Sequence, residues 1–279
     1  MKVFENIKEI SAYLKEAKTC GKKIALVPTM GALHEGHLAL IREAKKLADF
    51  VIVSIFVNKA QFNDTKDYKK YPRSVDSDLA KLQVEKIDIV FLPKDEEIYP
   101  NGVEYKIKVG AIGDVLCGVF RKNHFDGVAL IITKLFEIIK PDFAVFGKKD
   151  FQQFLIIKKL AKNFNVEVIG IETIREKSGL AMSSRNQHLS ESQKEIAANI
   201  FEILNEIKNA IKTVENIEKL LQNKKEKLLS LGFEKIDYLE IRDEENLELL
   251  SQKFDFTKKY RIFLAIYLNN VRLIDNLKV

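Results

Sequence analysis

Two histidines three residues apart are the first residues that could do chemistry, because imidazole rings can donate hydrogen bonds to phosphate oxygens. His34 and His37 close the segment 28–37, which follows an apolar run and leads directly into a helical pattern. Gly36 lies between them and allows backbone to approach a ligand. A helix N-terminus offers unpaired N–H groups and the positive end of the helix dipole. The segment is a candidate phosphate-binding loop.

The same histidine pair has two other interpretations, as helix caps or as half of a zinc site. Zinc is the weaker of the two, because the chain has only two more histidines, His124 and His188. The pair also lacks the i, i+4 spacing of a helical zinc motif. Phosphate binding is favoured, since donors at this position would stabilise a pentacovalent phosphorus more than the ground state.

Two amide side chains follow the next apolar run, residues 50–57. Asn58 and Gln61 could hydrogen-bond the hydroxyl and carboxylate of a small substrate without cancelling its charge. Flanking phenylalanines could exclude water from such a pocket. Ordinary turn chemistry explains the two amides equally well, because both residue types are common in loops.

Two later loops have residues suited to anions. In residues 146–153, lysine supplies a point charge for phosphate, Asp150 could cap a helix or bind a ribose hydroxyl, and Gln153 would face the crevice. In residues 178–186, paired serine hydroxyls precede Arg185, whose guanidinium suits bidentate phosphate contact. Four anion-suited loops are therefore predicted at one edge of a sheet.

The elements that must position these loops alternate along the chain. Short apolar runs at 24–27, 50–57, 87–92, 143–146 and 166–174 read as strands buried on both faces, and amphipathic helical patterns cover 37–48, 75–85, 128–139 and 151–163. This alternation predicts an α/β, Rossmann-like, doubly wound parallel sheet, in which ligands bind beyond the carboxyl ends of the strands.

A smaller α+β lid domain is predicted after the sheet. Residues 191–229 read as helix with a break near Thr213, and residues 235–242 and 261–268 read as strands. We therefore expect a nucleotide-binding domain over residues 1–178 and a C-terminal lid over residues 179–279.

Composition narrows the class of protein. The 279 residues are 46% hydrophobic and 31% charged, which fits a globular protein and excludes collagen-like, disordered and coiled-coil classes. The net charge of +6 comes from interspersed signs, so no nucleic-acid partner is expected. Two distant cysteines suggest no disulfide framework, and no signal or membrane segment is evident. A cytoplasmic protein without a membrane partner is predicted.

The first histidine motif resembles the signature of the nucleotidyltransferase superfamily. The full set of motifs, over nearly the whole chain, resembles the pantothenate synthetase (pantoate–β-alanine ligase) family. The motifs that carry this resemblance are residues 28–37, 56–58, 61–62, 71–73, 146–150, 152–153 and 182–186. Other nucleotidyltransferases share only the His-x-Gly-His pattern and a serine-rich loop.

The resemblance implies a ligase of pantothenate and coenzyme A biosynthesis that uses ATP and Mg²⁺ to adenylate the carboxylate of (R)-pantoate. The amine of β-alanine then displaces AMP to form pantothenate. Catalysis would fall to His34, His37 and Lys149, with His37 in the position of the proton donor. Pantoate would contact Asn58, Gln61 and Gln153, and β-alanine would contact Gln61. ATP would contact Met30, Gly31, Ala32, Leu33, His34, Glu35, Gly36, His37, Gly147, Lys148, Lys149, Asp150, Ile174, Met182, Ser183, Ser184 and Arg185.

Three positions depart from the family pattern. Lys59 replaces a common proline, and residues 76–78 read Asp-Ser-Asp where relatives often have three acids. Asp78 is the candidate metal ligand. Arg121 and His124 remain as candidate phosphate contacts in a loop that lacks a frequent Pro-Gly. The family also implies a homodimer, and the polar segment 63–71 reads as a mobile gate.

Two competing functions stay open from the sequence. A nucleotidyltransferase that transfers AMP or CMP to a phosphorylated alcohol would share the first motif but would not need Gln61 and Gln153. An RNA-binding module would need a stacking platform or a contiguous positive face. Most of the 18 phenylalanines lie in apolar runs that read as core, which disfavours the RNA interpretation.

Overall fold

The computed structural model describes residues 1–63, 65–105, 107–250 and 254–279. Its strands are β1 Lys2–Phe4, β2 Ile24–Thr29, β3 Phe50–Ile55, β4 Ile89–Phe91, β5 Phe143–Gly147, β6 Glu167–Ile171, β7 Lys235–Asp243, β8 Tyr260–Leu268 and β9 Val271–Lys278. Its helices are α1 Ile7–Thr19, α2 Glu35–Leu47, α3 Thr65–Lys70, α4 Val75–Val84, α5 Asp95–Ile98, α6 Cys117–Phe120, α7 His124–Ile139, α8 Phe151–Ala161, α9 Glu191–Ala210 and α10 Ile217–Ser230.

The described residues divide into two compact units. The first comprises Met1–Asp114, Arg121–Lys148 and Gln152–Glu172, and the second comprises Val115–Phe120, Lys149–Phe151 and Thr173–Val279. The second unit thus contains two short segments from the first half of the chain in addition to the C-terminal region. The functional division into a binding domain and a lid stays a prediction.

The first unit is built on a parallel sheet with the order β1-β4-β3-β2-β5-β6 in the part of the chain that the structure describes. From β2, the chain adds β3 and then β4 on one side of the sheet. It then crosses to the other side of β2 and adds β5 and β6. The strand order therefore reverses between β2 and β5, where an open α/β sheet binds its ligand. The predicted Rossmann-like fold class is confirmed.

The core explains why the central strands were readable from the sequence. Every residue from Ile24 to Val27 is 0% exposed, and Val51 to Val53 are at most 1% exposed. Each fully buried aliphatic side chain contributes about 1.5–3 kcal/mol. The sequence did not reveal β1, a three-residue edge strand that pairs only with β4, or α1, which has just two buried residues, Ile10 and Leu14.

The second unit contains the predicted helices and strands in an α+β arrangement. Strands β7, β8 and β9 form an antiparallel sheet with β8 in the centre. Helix α9 ends at Ala210 and α10 begins at Ile217, which matches the expected break near Thr213. The third strand, β9, was not predicted. Among the described residues, no helix is both long and apolar enough to cross a membrane.

Candidate active site

The loop after β2 is held open by a buried carboxylate from α4. Gly31 and Ala32 both have positive φ, at 78° and 50°. The two oxygens of Asp78, which is 1% exposed, accept the N–H groups of Ala32 and Leu33, each at 2.8 Å. Lys81, one turn further along α4, donates to the Leu33 carbonyl at 2.6 Å. A Cβ at Gly31 would lie 3.0 Å from an Asp78 oxygen, so glycine suits this tight approach.

The two histidines cap the helix that follows this loop. His34 is the N-cap of α2, and its Nδ1 accepts the N–H of Gly36 at 3.1 Å. The Nδ1 of His37 accepts the N–H of His34 at 3.3 Å, and the two ring centroids lie 4.1 Å apart. The helix-cap interpretation is therefore correct as a description of the geometry. Both capping bonds are accepted by the Nδ1 atom of the ring.

This capping geometry fixes the tautomer of both rings. A peptide N–H can only donate, so each Nδ1 must present its lone pair, and the ring proton of each neutral histidine lies on Nε2. A doubly protonated ring would place two donors against each other at Nδ1. Both histidines are thus held with an Nε2–H donor at the N-terminus of α2. Such donors suit a phosphate group.

Asn58 is buried and fully hydrogen-bonded within the protein. Its amide nitrogen donates to the side-chain oxygen of Gln61 and to the carbonyl of Gly127, both at 3.0 Å. Its side-chain oxygen accepts from the Ala60 N–H at 3.2 Å and from the Tyr99 hydroxyl at 2.6 Å. These four bonds occupy both N–H donors and both oxygen lone pairs of the amide. Asn58 therefore orients Gln61, and a direct contact with a substrate would break one of these bonds.

Gln61 is also positioned from its other sides. Its amide nitrogen lies 3.0 Å from the sulfur of Met30, which belongs to the loop after β2. Its backbone carbonyl accepts from Nδ1 of His124 at 2.7 Å, and Arg121 contacts Nε2 of the same ring at 2.9 Å. His124 thus carries its proton on Nδ1. The two candidate phosphate contacts of the sequence, Arg121 and His124, are placed around the Gln61 backbone.

Gly127 allows helix α7 to meet this turn at backbone distance. A Cβ at residue 127 would lie 2.2 Å from the carbonyl oxygen of Ala60 and 2.8 Å from the Gln61 nitrogen. Both neighbours are backbone atoms, which cannot rotate away. The glycine is therefore required by packing.

A cleft of about 220 Å³ lies beyond the carboxyl ends of β2, β3 and β4. Its lining includes Met30, Gly31, Phe56, Tyr68, Arg73, Asp78 and Asp95. The cleft lies where the strand-end rule predicts a ligand site. The predicted gate at 63–71 lies beside it in sequence, where the backbone of residues 65–70 forms α3. Asp64 and the side chains of residues 65–67 lie outside the described part of the chain.

The loop after β5 begins in the first unit. Gly147 ends β5, and Lys148 pairs with Glu172 at 2.6 Å. Gln153 is half-buried on the first turn of α8. The remaining predicted nucleotide contacts belong to the second unit and are Lys149, Asp150, Ile174, Met182, Ser183, Ser184 and Arg185. Of these, Asp150 is exposed and the others are half-buried.

Within the second unit, the predicted contacts after β6 form a hydrogen-bonded loop. The N–H of Met182 donates to the carbonyl of Ile174 at 3.0 Å, which places these two predicted contacts side by side. The Ser183 hydroxyl accepts the N–H of Arg185 at 3.3 Å and caps the short turn Ser184–His188. The loop therefore has a defined shape.

Several residues that hold these loops were not found by sequence reasoning. They are Lys81, Tyr99, Gly127, Asp275 and Asn276. Buried polar side chains inside otherwise apolar segments were the one available signal, and Asp275 and Asn276 give it clearly. Partners far apart in sequence could not be assigned from that signal alone.

Comparison with known proteins decides between the two nucleotidyltransferase hypotheses. The family model described as pantoate-β-alanine ligase matches residues 2–278. This chain belongs to the pantoate–β-alanine ligase family. The predicted family and its ligase activity are therefore confirmed. A nucleotidyltransferase acting on a phosphorylated alcohol and an RNA-binding module are no longer needed to explain the motifs.

Relatives of this ligase family match over their full length. A pantothenate synthetase from Shewanella woodyi is 44% identical over 277 residues, covering 98% of this chain and 97% of its own. One from Carboxydothermus hydrogenoformans is 45% identical over 281 residues, covering 99% and 98%. The fold matches the crystal structure of pantothenate synthetase from Thermus thermophilus with a TM-score of 0.90 at 36% identity, covering 100% of this chain and 99% of that one.

A second solved structure bears on ligands. The pantoate-β-alanine ligase from Francisella tularensis, in complex with β,γ-ATP and β-alanine, matches with a TM-score of 0.80 at 38% identity. The match covers 100% of this chain and 97% of that one. ATP and β-alanine are thus ligands of a close structural relative.

Proposed function

We propose that this protein condenses (R)-pantoate with β-alanine at the expense of ATP, through a pantoyl-adenylate intermediate. The observation that carries the mechanism is the pair of histidines at the N-terminus of α2, each held with an Nε2–H donor by its capping bond. Two oriented donors beside a helix N-terminus stabilise negative charge that grows on a phosphate.

In the first step, a pantoate carboxylate oxygen attacks the α-phosphorus of ATP. A carboxylate–phosphorus bond forms, the bond from the α-phosphorus to the bridging oxygen breaks, and pyrophosphate leaves. His34 and His37 donate Nε2–H hydrogen bonds to the charge that develops on the phosphates and on the leaving pyrophosphate, and His37 keeps its ring proton throughout. Lys149 contributes positive charge at the phosphates.

In the second step, the amine of β-alanine attacks the acyl carbon of the adenylate. The carbon–nitrogen bond forms, the bond from the acyl carbon to the phosphate oxygen breaks, the amine loses a proton, and AMP leaves. AMP makes a poor acyl donor reactive, which divides a difficult amide synthesis into two displacements. In this proposal, Gln61 orients both the pantoate and the incoming amine.

The described contacts of Asn58 and Gln61 support different roles for these two predicted substrate residues. Gln61 and Gln153 bind pantoate, and Asn58 acts by holding Gln61. The ATP-binding set is the one that the family resemblance implies. Lys59, where relatives often have proline, pairs with Asp95 at 3.1 Å, so its charge is directed onto a cleft residue.

Mg²⁺ is proposed to enter with ATP. Within the described ranges, no group of three or more His, Cys, Asp or Glu side chains could hold a metal ion. The two oxygens of Asp78 each accept one backbone N–H, which leaves a second lone pair on each oxygen, and the predicted role of Asp78 as a metal ligand stays a prediction. Mg²⁺ commonly binds through substrate phosphates with few protein ligands.

The proposal also covers the location, the oligomeric state and the domain roles of the enzyme. We infer a cytoplasmic enzyme that forms a homodimer through its N-terminal region, with residues 179–279 acting as a lid. Family membership supports these statements. A lid would protect the adenylate from water.

The deciding experiment supplies ATP, pantoate and β-alanine and measures AMP release. Pantoate with ATP alone tests the adenylation step through pyrophosphate release. His37→Ala is expected to lower the rate by about two to three orders of magnitude, equivalent to about 3–4 kcal/mol, as for the loss of one preorganised donor. His188→Ala is the matched control, because His188 is exposed and lies outside the proposed machinery. Wild-type AMP release no faster than that of His37→Ala would refute the proposed function.

A further inference from the structure

Strand β9 carries two neighbouring polar residues that are almost completely buried. Asp275 is 4% exposed and Asn276 is 3% exposed. Consecutive side chains of a strand point to opposite faces of the sheet, so the two residues serve different surroundings. Burying polar groups is unfavourable unless each is paired. Their partners therefore show what these residues do.

Asn276 holds the backbone of the lysine predicted to contact phosphate. Its amide nitrogen donates to the carbonyl of Lys149 at 2.7 Å, and its side-chain oxygen accepts from Arg261 at 2.5 Å. Arg261 is 2% exposed, bonds Glu244 at 2.8 Å and 2.9 Å, and stacks over the ring of Phe151 at 4.1 Å. One buried network on this face of the sheet thus contacts both the carbonyl of residue 149 and the ring of residue 151.

Asp275 holds the start of the loop that contains the other predicted nucleotide contacts. Its carboxylate accepts two hydrogen bonds from Arg175, at 2.6 Å and 2.9 Å, in a bidentate pair. Arg175 also donates to the Gly179 carbonyl at 3.0 Å, and its guanidinium lies 3.8 Å from the ring centroid of Phe201. Arg175 and Ala181 form an antiparallel bridge, which closes the hairpin just before the Met182 segment.

We propose that Asp275 and Asn276 are positioning residues of the nucleotide site, which fix Lys149 from one face of β9 and the loop after Ile174 from the other. Adjacent residues on one strand thereby set the relative placement of two groups of predicted ATP contacts within the second unit. The inference rests on the proposed function, because it assigns those groups to ATP. Buried ion pairs add little net stability over apolar packing, so a positioning role accounts better for this polar set.

The test compares Asn276→Ala and Asn276→Ser with the wild-type protein, each assayed well below its own thermal midpoint. The measured quantities are the Kd of a non-hydrolysable ATP analogue, kcat, and the KM values for ATP and β-alanine. We expect Asn276→Ala to weaken ATP binding at least tenfold and to leave the β-alanine KM within twofold. Asn276→Ser keeps a hydroxyl donor and should recover part of the loss.

Asn199→Ala is the matched control. Asn199 also donates a side-chain hydrogen bond to a carbonyl, that of Ile196 at 2.9 Å, and Ile196 takes no part in the contacts described above. Its removal should leave the ATP Kd unchanged. If Asn276→Ala does not fold, Asn276→Ser and Asp275→Asn are measured in its place.

Wild-type ATP affinity in the folded variants, or an equal loss in Asn199→Ala, would overturn the inference. A wild-type protein that neither binds ATP nor releases AMP would instead overturn the proposed function. The two failures are therefore distinguishable.

Discussion

The hydroxyl of Tyr99 donates a 2.6 Å hydrogen bond to the side-chain oxygen of Asn58, 41 residues earlier in the chain. Both residues are buried, at 4% and 1% exposure. Because Asn58 in turn donates to Gln61, a phenol distant in sequence sets the direction of a proposed substrate amide. Burial, with a smaller contribution from Asp95, raises the pKa of Tyr99 above its ordinary value.

Replacing Tyr99 with phenylalanine should loosen this support. We expect unfolding to become easier by about 1–1.5 kcal/mol near neutral pH, and the pantoate KM to rise severalfold while the ATP KM stays unchanged. Steady-state kinetics and urea unfolding measure both effects. Tyr105→Phe is the control, because its hydroxyl contacts the Ala60 carbonyl from a partly exposed site. An unchanged pantoate KM would show that Gln61 is oriented without this bond.

The same variant makes a prediction about alkaline pH. Because the folded-state pKa of Tyr99 lies above the unfolded value of about 10, its contribution to stability is complete below that pH. It is lost as the pH rises through the folded-state pKa. Tyr99→Phe should therefore lose less stability than wild type above about pH 10, relative to its own value at neutral pH. If the unfolding free energies of the two proteins fall in parallel with rising pH, the cause given for the pKa shift is contradicted.

Replacing His34 should separate helix capping from catalysis. Asparagine is among the best N-cap residues but lacks a ring Nε2–H, whereas alanine loses both functions. We expect His34→Asn to keep its unfolding free energy within about 0.5 kcal/mol, while His34→Ala loses about 1 kcal/mol. Both should lower the rate of pyrophosphate release by at least about tenfold. A fully active His34→Asn variant would show that His34 caps the helix and takes no part in catalysis.

Replacing Asp78 should distinguish a loop-holding carboxylate from a metal ligand. In Asp78→Asn the remaining oxygen can still accept one N–H, but the new amide nitrogen faces the second N–H, and two donors repel each other. We therefore expect the free energy of unfolding to fall by about 2–3 kcal/mol and the KM for ATP to rise. Asp76→Asn is the control on the same helix turn, because Asp76 is exposed. An Asp78→Asn protein of normal stability that needs more Mg²⁺ would instead support the metal role. Chemical denaturation and Mg²⁺ titrations provide the measurements.

The central sheet could be predicted from the sequence because its strands are buried on both faces. Runs such as residues 50–55 contain no charged residue, and such a short apolar run is typical of a buried strand. Strand β9 was missed because Asp275 and Asn276 interrupt its apolar pattern on both faces. Strand β1 was missed because three residues at an edge carry too little pattern. Local sequence therefore revealed long elements stabilised by apolar burial, and it missed a short edge strand and a strand interrupted by buried polar residues.

The candidate site divides in the same way. The loops at strand ends were found because a topological rule places them, and residue types indicated what they could bind. The supporting contacts were not found, since Tyr99 lies 41 residues from Asn58 and Asn276 lies 127 residues from Lys149. Asp78 was noticed for its charge, but its partners are backbone N–H groups, which no residue pattern can display.

The contact between Gly127 and the Ala60 carbonyl has a consequence for redesigning the enzyme. Since even a methyl group at position 127 would reach 2.2 Å from that oxygen, the turn bearing Gln61 is joined to α7 without room for adjustment. Laboratory evolution toward bulkier hydroxy acids must therefore retain this glycine and vary position 61 itself. The chain beyond Gln61 is also fixed, because the ring of Phe62 packs edge-on against those of Tyr68 and Tyr71.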